Sequence, residues 1–144
     1  MGKQRRDEQP IRNISWDEFD SLSKNLVNQL PLKLVRRYGP GFPENAAIWG
    51  IPRGGLIVAL RLSYLQPEFI FKDLVMLTSN GGFIIDDVVD SGKTMGKCLK
   101  GLNMNGEKVK IASLFYRHSS IVVPDYYVEE IPDDTWIEFP WEKE

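Results

Sequence analysis

Residues 83–94 read FIIDDVVDSGKT. Phe83, Ile84 and Ile85 form a short, unbroken apolar run, the pattern of a strand covered on both faces of a parallel sheet. The run ends in Asp86 and Asp87, so two carboxylates emerge at the carboxyl end of a central strand, where open α/β sheets bind their ligands. After Val88 and Val89 the chain continues Asp90, Ser91, Gly92, Lys93, Thr94, and Met95, Cys98, Leu99 and Leu102 then fall at helical spacing. A Gly-bearing turn leading into a helix aims backbone N–H groups and the positive end of the helix dipole at one point, which suits a phosphate. Ser91 and Thr94 can add hydroxyl donors, and Gly92 permits close approach or positive φ.

Gly92-Lys93-Thr94 superficially suggests a nucleoside-triphosphatase loop, but that motif needs a glycine at position 87, where Asp stands. An acidic turn that merely caps a helix accounts for Asp90 and Ser91 and leaves the carboxylate pair unexplained. A carboxylate pair and a phosphate cup one sugar's length apart together fit a ribose 5-phosphate. In this order of residues the stretch resembles the phosphoribosyl-pyrophosphate (PRPP) motif of the type I phosphoribosyltransferases. The resemblance implies that Asp86 and Asp87 hold the ribose hydroxyls, directly or through Mg²⁺, with Asp87 as the metal residue. It implies that Asp90, Ser91, Gly92, Lys93 and Thr94 hold the 5-phosphate.

The 144 residues suffice for one compact domain. With 18 basic and 20 acidic side chains, the charge balance gives no reason to expect nucleic acid or a membrane surface as partner. One cysteine excludes an internal disulfide and a multi-cysteine zinc site, and fits a reducing cytoplasm. No apolar run approaches the roughly 20 residues of a membrane span, and the polar amino terminus predicts no signal peptide.

Residues 1–13 are expected as a polar arm and 14–144 as the domain. Ser15 and Glu18 form a capping box for a first helix, with Trp16, Phe19, Leu22, Leu26 and Leu30 on its core face. Gly39 to Asn45 reads as a loop. Ala46 to Ile51 reads as a second buried strand, followed by Pro52, Arg53, Gly54 and Gly55 and a helix bearing Leu56, Val58, Ala59, Leu60 and Leu62. This second strand, glycine turn and helix offers another anion cup. By the same resemblance Arg53, Gly54 and Gly55 hold the pyrophosphate of PRPP, in a family loop that often has an unusual cis peptide.

Beyond Phe69 to Phe71, Leu74 to Leu77 is expected as a strand and Thr78 to Gly82 as a tight turn. After a turn at Asn105 and Gly106, Val109 to Leu114 is the next strand. Strands alternating with helices give an α/β fold with a parallel sheet. The resemblance names it a single-domain type I phosphoribosyltransferase fold with a reduced hood, lacking the long catalytic loop that the family places where Thr78 to Gly82 stands.

The carboxyl-terminal segment is rich in aromatic residues. Aromatic side chains beside a sugar-phosphate site can stack a planar base; equally, Trp136 and Trp141 can close the core. VEEIPDDTWIEFPWE, ending at Glu142, resembles the end of the bacterial xanthine-guanine phosphoribosyltransferases. That likeness implies that Trp136 and Ile137 flank a purine and offer backbone carbonyls, and that Arg117, where the family has Lys, contacts its 6-oxo group. The resemblance thus implies an enzyme moving the phosphoribosyl unit of PRPP to guanine, xanthine or hypoxanthine. Asp90, Asp86, Asp87 and Arg53 would be its catalytic residues, Mg²⁺ its cofactor and a homo-oligomer, dimer or tetramer, its assembly. The alternative is a non-catalytic PRPP- or nucleotide-binding regulator of the same descent. His118, the only histidine, reads as a surface residue, and Cys98 as packing within its helix.

Overall fold

The computed structural model of the chain describes residues 7–31, 47–101 and 109–142. The expected loop at 39–45, the turn at 105–106, Ala46 and Leu102 lie outside them. The elements run β1 (Ile11–Asn13), α1 (Trp16–Gln29), β2 (Ala47–Gly50), α2 (Gly54–Leu65), β3 (Ile70–Phe71), α3 (Leu74–Asn80), β4 (Gly82–Val89), α4 (Lys93–Gly101), β5 (Val109–Arg117), β6 (Tyr126–Ile131) and β7 (Trp136–Glu138). A 3₁₀ turn, Pro140–Glu142, follows.

Five strands form a parallel sheet in the order β3-β2-β4-β5-β6, with β4 in the middle. Its side chains alternate between two cores. Phe83 and Ile85 point into one, with α1 and α2. Ile84 points into the other, with Met95 and Cys98 of α4. The result is a sheet between two helical layers.

The first helix starts as its capping box predicts, with the Glu18 N–H donating to Ser15 Oγ at 3.0 Å. Phe19, Leu22 and Leu26 are buried as expected, but Trp16 is 59% exposed. In the first turn it lies at the rim, edge-on to Phe19 and tilted on Trp141. One further expectation is corrected. Leu74–Asn80 is a helix, not a strand and turn: Asp73 caps it, its carboxylate accepting from the Met76 N–H at 3.2 Å, and Gly81, at φ 88°, ends it. Four apolar residues do not distinguish strand from helix, and the cap decides. Within residues 1–13, expected as a polar arm, Ile11–Asn13 pairs in parallel with β7 to make a second, two-stranded sheet. No apolar pattern marks that strand; β7 supplies the edge it joins. No helix among the described residues is long and apolar enough to cross a membrane.

Candidate functional site

The two glycine turns meet. β2 runs into α2, and the chain passes outward to β3; the neighbouring β4 runs into α4, and the chain passes the other way to β5. The direction therefore reverses between β2 and β4, the switch point at which a crevice opens beyond strand ends. The Ile51 N–H donates to the Ile85 carbonyl at 2.9 Å and ties the first turn to the central strand. A methyl group built on Gly54 would strike the Asp87 carboxylate, and one on Gly55 would strike the Ile85 carbonyl and lie 3.0 Å from Asp86 Cα. Two glycines at positions 54 and 55 are what let the loops lie this close. The peptide between Pro52 and Arg53 is cis, and Arg53 is exposed at the start of α2.

The central strand continues through the acidic pair to Val89 instead of stopping before it. The two carboxylates stay close enough to interact, and both lie beside the first glycine turn, Asp87 next to Gly54 and Asp86 next to Gly55. The charge of Asp86 also reaches Cys98 of α4, whose thiol is pushed up by burial and then by Asp86. Burial, and after it the charge of Asp87, pushes the Asp86 carboxyl well above its ordinary value. Asp86 Oδ1 also accepts from the Asp87 N–H at 2.9 Å, and Asp87 Oδ1 from the Val88 N–H at 2.8 Å.

Asp87 opens into a pocket of about 320 Å³ whose wall also carries Asp90, Arg117, Trp136, Ile137 and Glu142. Of the expected residues, the structure thus gathers one acid of the pair, the later Asp90 and all three base-side residues around one space. Asp86 does not line that space but touches Asp87, which does.

The turn after β4 carries a left-handed glycine and leads straight into α4. Gly92 lies at φ 83°, Ser91 Oγ accepts from the Lys93 N–H at 3.2 Å, and Ser91, Lys93 and Thr94 are exposed at the start of α4. Its brace is new: the Ile121 N–H donates to the Ser91 carbonyl at 3.0 Å, so the link after β5 lies against the turn. Nothing in the spacing of Ser119 to Val122 signals this contact.

On the base side, the two tryptophans separate. Trp141 stacks on Phe139 at 4.5 Å and 6°, with Phe19 edge-on at 5.2 Å, and belongs to the core. Trp136 lines the pocket. The Trp136 N–H donates to the Pro10 carbonyl, and the Ile14 N–H to the Glu138 carbonyl, both at 2.8 Å. In a parallel ladder these bonds turn the backbone groups of Trp136 and Glu138 toward β1 and those of Ile137 toward the opposite edge. Ile137 therefore keeps a backbone donor and acceptor free of β1, while the Trp136 carbonyl faces the ladder.

Arg117 is buried, its Nε 2.7 Å from Asp90 Oδ1 and its Nη1 donating to the carbonyls of Pro132 at 2.6 Å and Thr135 at 2.9 Å. Glu142 escaped the sequence reading; its only signal is an acid shortly after the Trp-Ile pair. Burial, then the charges of Asp87 and Glu138, push its carboxyl up against a lowering hydrogen bond at Phe139. His118 is exposed, as expected, 2.6 Å from Glu130.

The chain is similar in sequence and fold to known proteins. Residues 72–144 match the model of the phosphoribosyl transferase domain. A xanthine-guanine phosphoribosyltransferase of Cereibacter sphaeroides is 30% identical over 155 aligned positions, covering 90% of this chain and 86% of that protein. The crystal structure of a purine phosphoribosyltransferase from Pyrococcus horikoshii superposes with a TM-score of 0.72 at 28% identity, covering 93% and 95% of the two chains. The xanthine-guanine-hypoxanthine phosphoribosyltransferase of Helicobacter pylori superposes at 0.70 with 25% identity, covering 94% of each.

Proposed function

The chain belongs to the phosphoribosyltransferase family, and from that premise we propose that it moves the phosphoribosyl group of PRPP to a 6-oxopurine, releasing pyrophosphate. The observation that carries this reading is the shared pocket: the ribose-side Asp87, the turn residue Asp90 and the base-side Arg117, Trp136 and Ile137 line one space. In the reaction the bond from ribose C1 to pyrophosphate breaks, a bond from a purine nitrogen to C1 forms, and the purine gives up a proton.

The exposed donors of Ser91, Lys93 and Thr94 hold the 5-phosphate at the amino end of α4. Arg53 and the backbone of Gly54 and Gly55 take the pyrophosphate; a guanidinium there stabilises the leaving group. Asp86 and Asp87 lie along the ribose, where negative charge stabilises the positive C1 of the transition state. Trp136 stacks on the base, and the free backbone edge of Ile137 meets its 2-substituent. Arg117 uses Nε and Nη1 on protein oxygens, which leaves Nη2 to donate to the 6-oxo group. Asp90 accepts the purine proton.

Mg²⁺ suits this site. Asp87 offers hard oxygen donors to the pocket, and no cluster of three metal-binding side chains occurs among the described residues. Mg²⁺ is commonly held by one or two carboxylates with substrate oxygens and water completing its shell. When bound it would supply positive charge to offset the negative charge of the pyrophosphate.

Association of copies is supported by the outer face of α2, where Leu56, Leu60 and Tyr64 are 47%, 50% and 74% exposed at four-residue spacing, on the helix that follows Arg53. The connection at 72–81, which holds α3, leaves water exclusion to other parts, and a neighbouring copy at α2 is one source. A cytoplasmic enzyme that salvages free purines completes the reading.

The test is pyrophosphate release from PRPP and Mg²⁺ with guanine, xanthine, hypoxanthine, adenine and orotate in turn, beside Asp90→Asn. Turnover with a 6-oxopurine, lost in the variant, is expected. Binding of PRPP or a purine nucleotide without turnover on any base would instead make the chain a regulator.

A further inference from the structure

Arg117 joins two halves of the site that the chain keeps far apart. Asp90 sits in the turn after β4, at a side-chain exposure of 27%, where a lone carboxylate has several staggered orientations open to it. Pro132 and Thr135 belong to the link between β6 and β7, and Trp136 follows at once. One buried guanidinium binds all three: Nε meets the Asp90 carboxylate at 2.7 Å, and Nη1 meets the two carbonyls at 2.6 and 2.9 Å. Because the group is planar and rigid, the angle between the Asp90 bond and the carbonyl bonds is set by the guanidinium itself.

We infer that Arg117 is a positioning residue for the transfer, clamping the Asp90 carboxylate at a fixed place relative to Trp136 and Ile137, so that a purine stacked on one is presented to the other. This rests on the transferase reading above and adds a second task to the base contact given there to Nη2. The clamp explains why a charged side chain is buried at the end of β5. Its Nε and Nη1 are satisfied by oxygens of the very segments that must be aligned. Lysine, which the resembled family carries at this place, has a single nitrogen. It can keep a contact with the base while giving up the clamp.

The experiment is steady-state kinetics of Arg117→Lys with each base that the wild-type chain uses, varying PRPP and base separately. The expected result is a fall in kcat of about a hundredfold, the cost of a catalytic group misplaced by an ångström, with both KM values within about threefold of wild type. Asp90→Asn added to this variant should cost far less than it costs the wild type, because the two residues act as a unit. In Arg117→Ala, free guanidinium should restore part of kcat, and ammonium at equal ionic strength should not. This arm carries the test if the lysine variant does not fold, and a folded alanine variant without rescue overturns the inference. So does Arg117→Lys with wild-type kcat, with a raised base KM at unchanged kcat, or with PRPP affinity lost in step with kcat. Absence of wild-type turnover on every base is a different outcome, which overturns the transferase reading and this inference with it.

Discussion

Replacing Gly92 by alanine tests whether the turn proposed to hold the 5-phosphate depends on a left-handed residue backed by the β5–β6 link. At φ 83° an alanine costs about 1–2 kcal/mol that glycine does not. Its methyl would also lie 2.6 Å from Ser120 Oγ, 2.7 Å from the Val122 nitrogen and 3.0 Å from Ile121 Cγ1. The hydroxyl can rotate away; the backbone nitrogen cannot, and forcing a carbon into such a space costs about 1–3 kcal/mol. The sum, about 2–5 kcal/mol, lowers Tm by about 4–20 °C for a domain of this size. If the turn relaxes instead of paying in stability, the donors of Ser91, Lys93 and Thr94 lose their common focus and KM for PRPP rises. Thermal unfolding and PRPP saturation, measured on the same preparation, separate the two routes. Adding Ser120→Ala should recover only part of the loss, since it removes the hydroxyl and leaves both the Val122 contact and the φ penalty. A folded Gly92→Ala protein with wild-type Tm and wild-type KM for PRPP would refute the reasoning.

Three further outcomes are expected. Phe139→Ala opens the core beside the pocket: the ring is 1% exposed and stacked on Trp141, so chemical denaturation should show a loss of about 3–5 kcal/mol. Hydrogen bonds from Lys24 and then Arg61 hold Asp20 below its ordinary value of 3.8. A carboxylate depressed in the folded state adds stability above its unfolded value and loses it as pH falls through the folded one. Asp20→Asn should therefore lower Tm at pH 7 and match wild type at a pH below the depressed value; an equal difference at all pH would reduce the contact to packing. Leu60→Glu places a charge in the exposed stripe of α2, and light scattering should show a smaller species than wild type; an unchanged mass would move the interface elsewhere.

The central motif was legible because local chemistry and global position coincide there. Phe83 to Ile85 can only be comfortable between two layers, and the glycine turn after them can only serve an α/β crossover. The same holds at Ile51 to Gly55. Leu74 to Leu77 was not legible as a helix, since its apolar run suits either period and the deciding group, the Asp73 cap, is a single side chain. Nor was β1. Ile11, Arg12 and Asn13 carry no alternation, and their strand exists because residues 136–138 offer an edge more than a hundred positions away. Trp136 and Trp141 look equivalent in the sequence, yet one lines the pocket and the other stacks in the core, a difference set by Phe19 and Phe139 from two separate segments.

Arg117 shows where such reading runs out. A basic residue at the end of a strand near a ligand site suggests a hand extended to the ligand, and its type and place were visible. Its burial was not, because burial of a guanidinium depends on oxygens from other parts of the chain arriving together. Here they come from the turn after β4 and from the β6–β7 link, and both segments are themselves part of the site. The cost of burying the charge is thus met by the groups whose alignment the reaction needs. Removing the guanidinium would leave Asp90 without its cation and take a donor from each of two carbonyls, leaving Pro132 only the 3.4 Å bond from the Thr135 N–H, so stability and geometry at this point have one source. The kinetic split proposed for Arg117→Lys is the means of telling them apart, since a loss of folding alone would lower the amount of active protein without changing kcat per folded site.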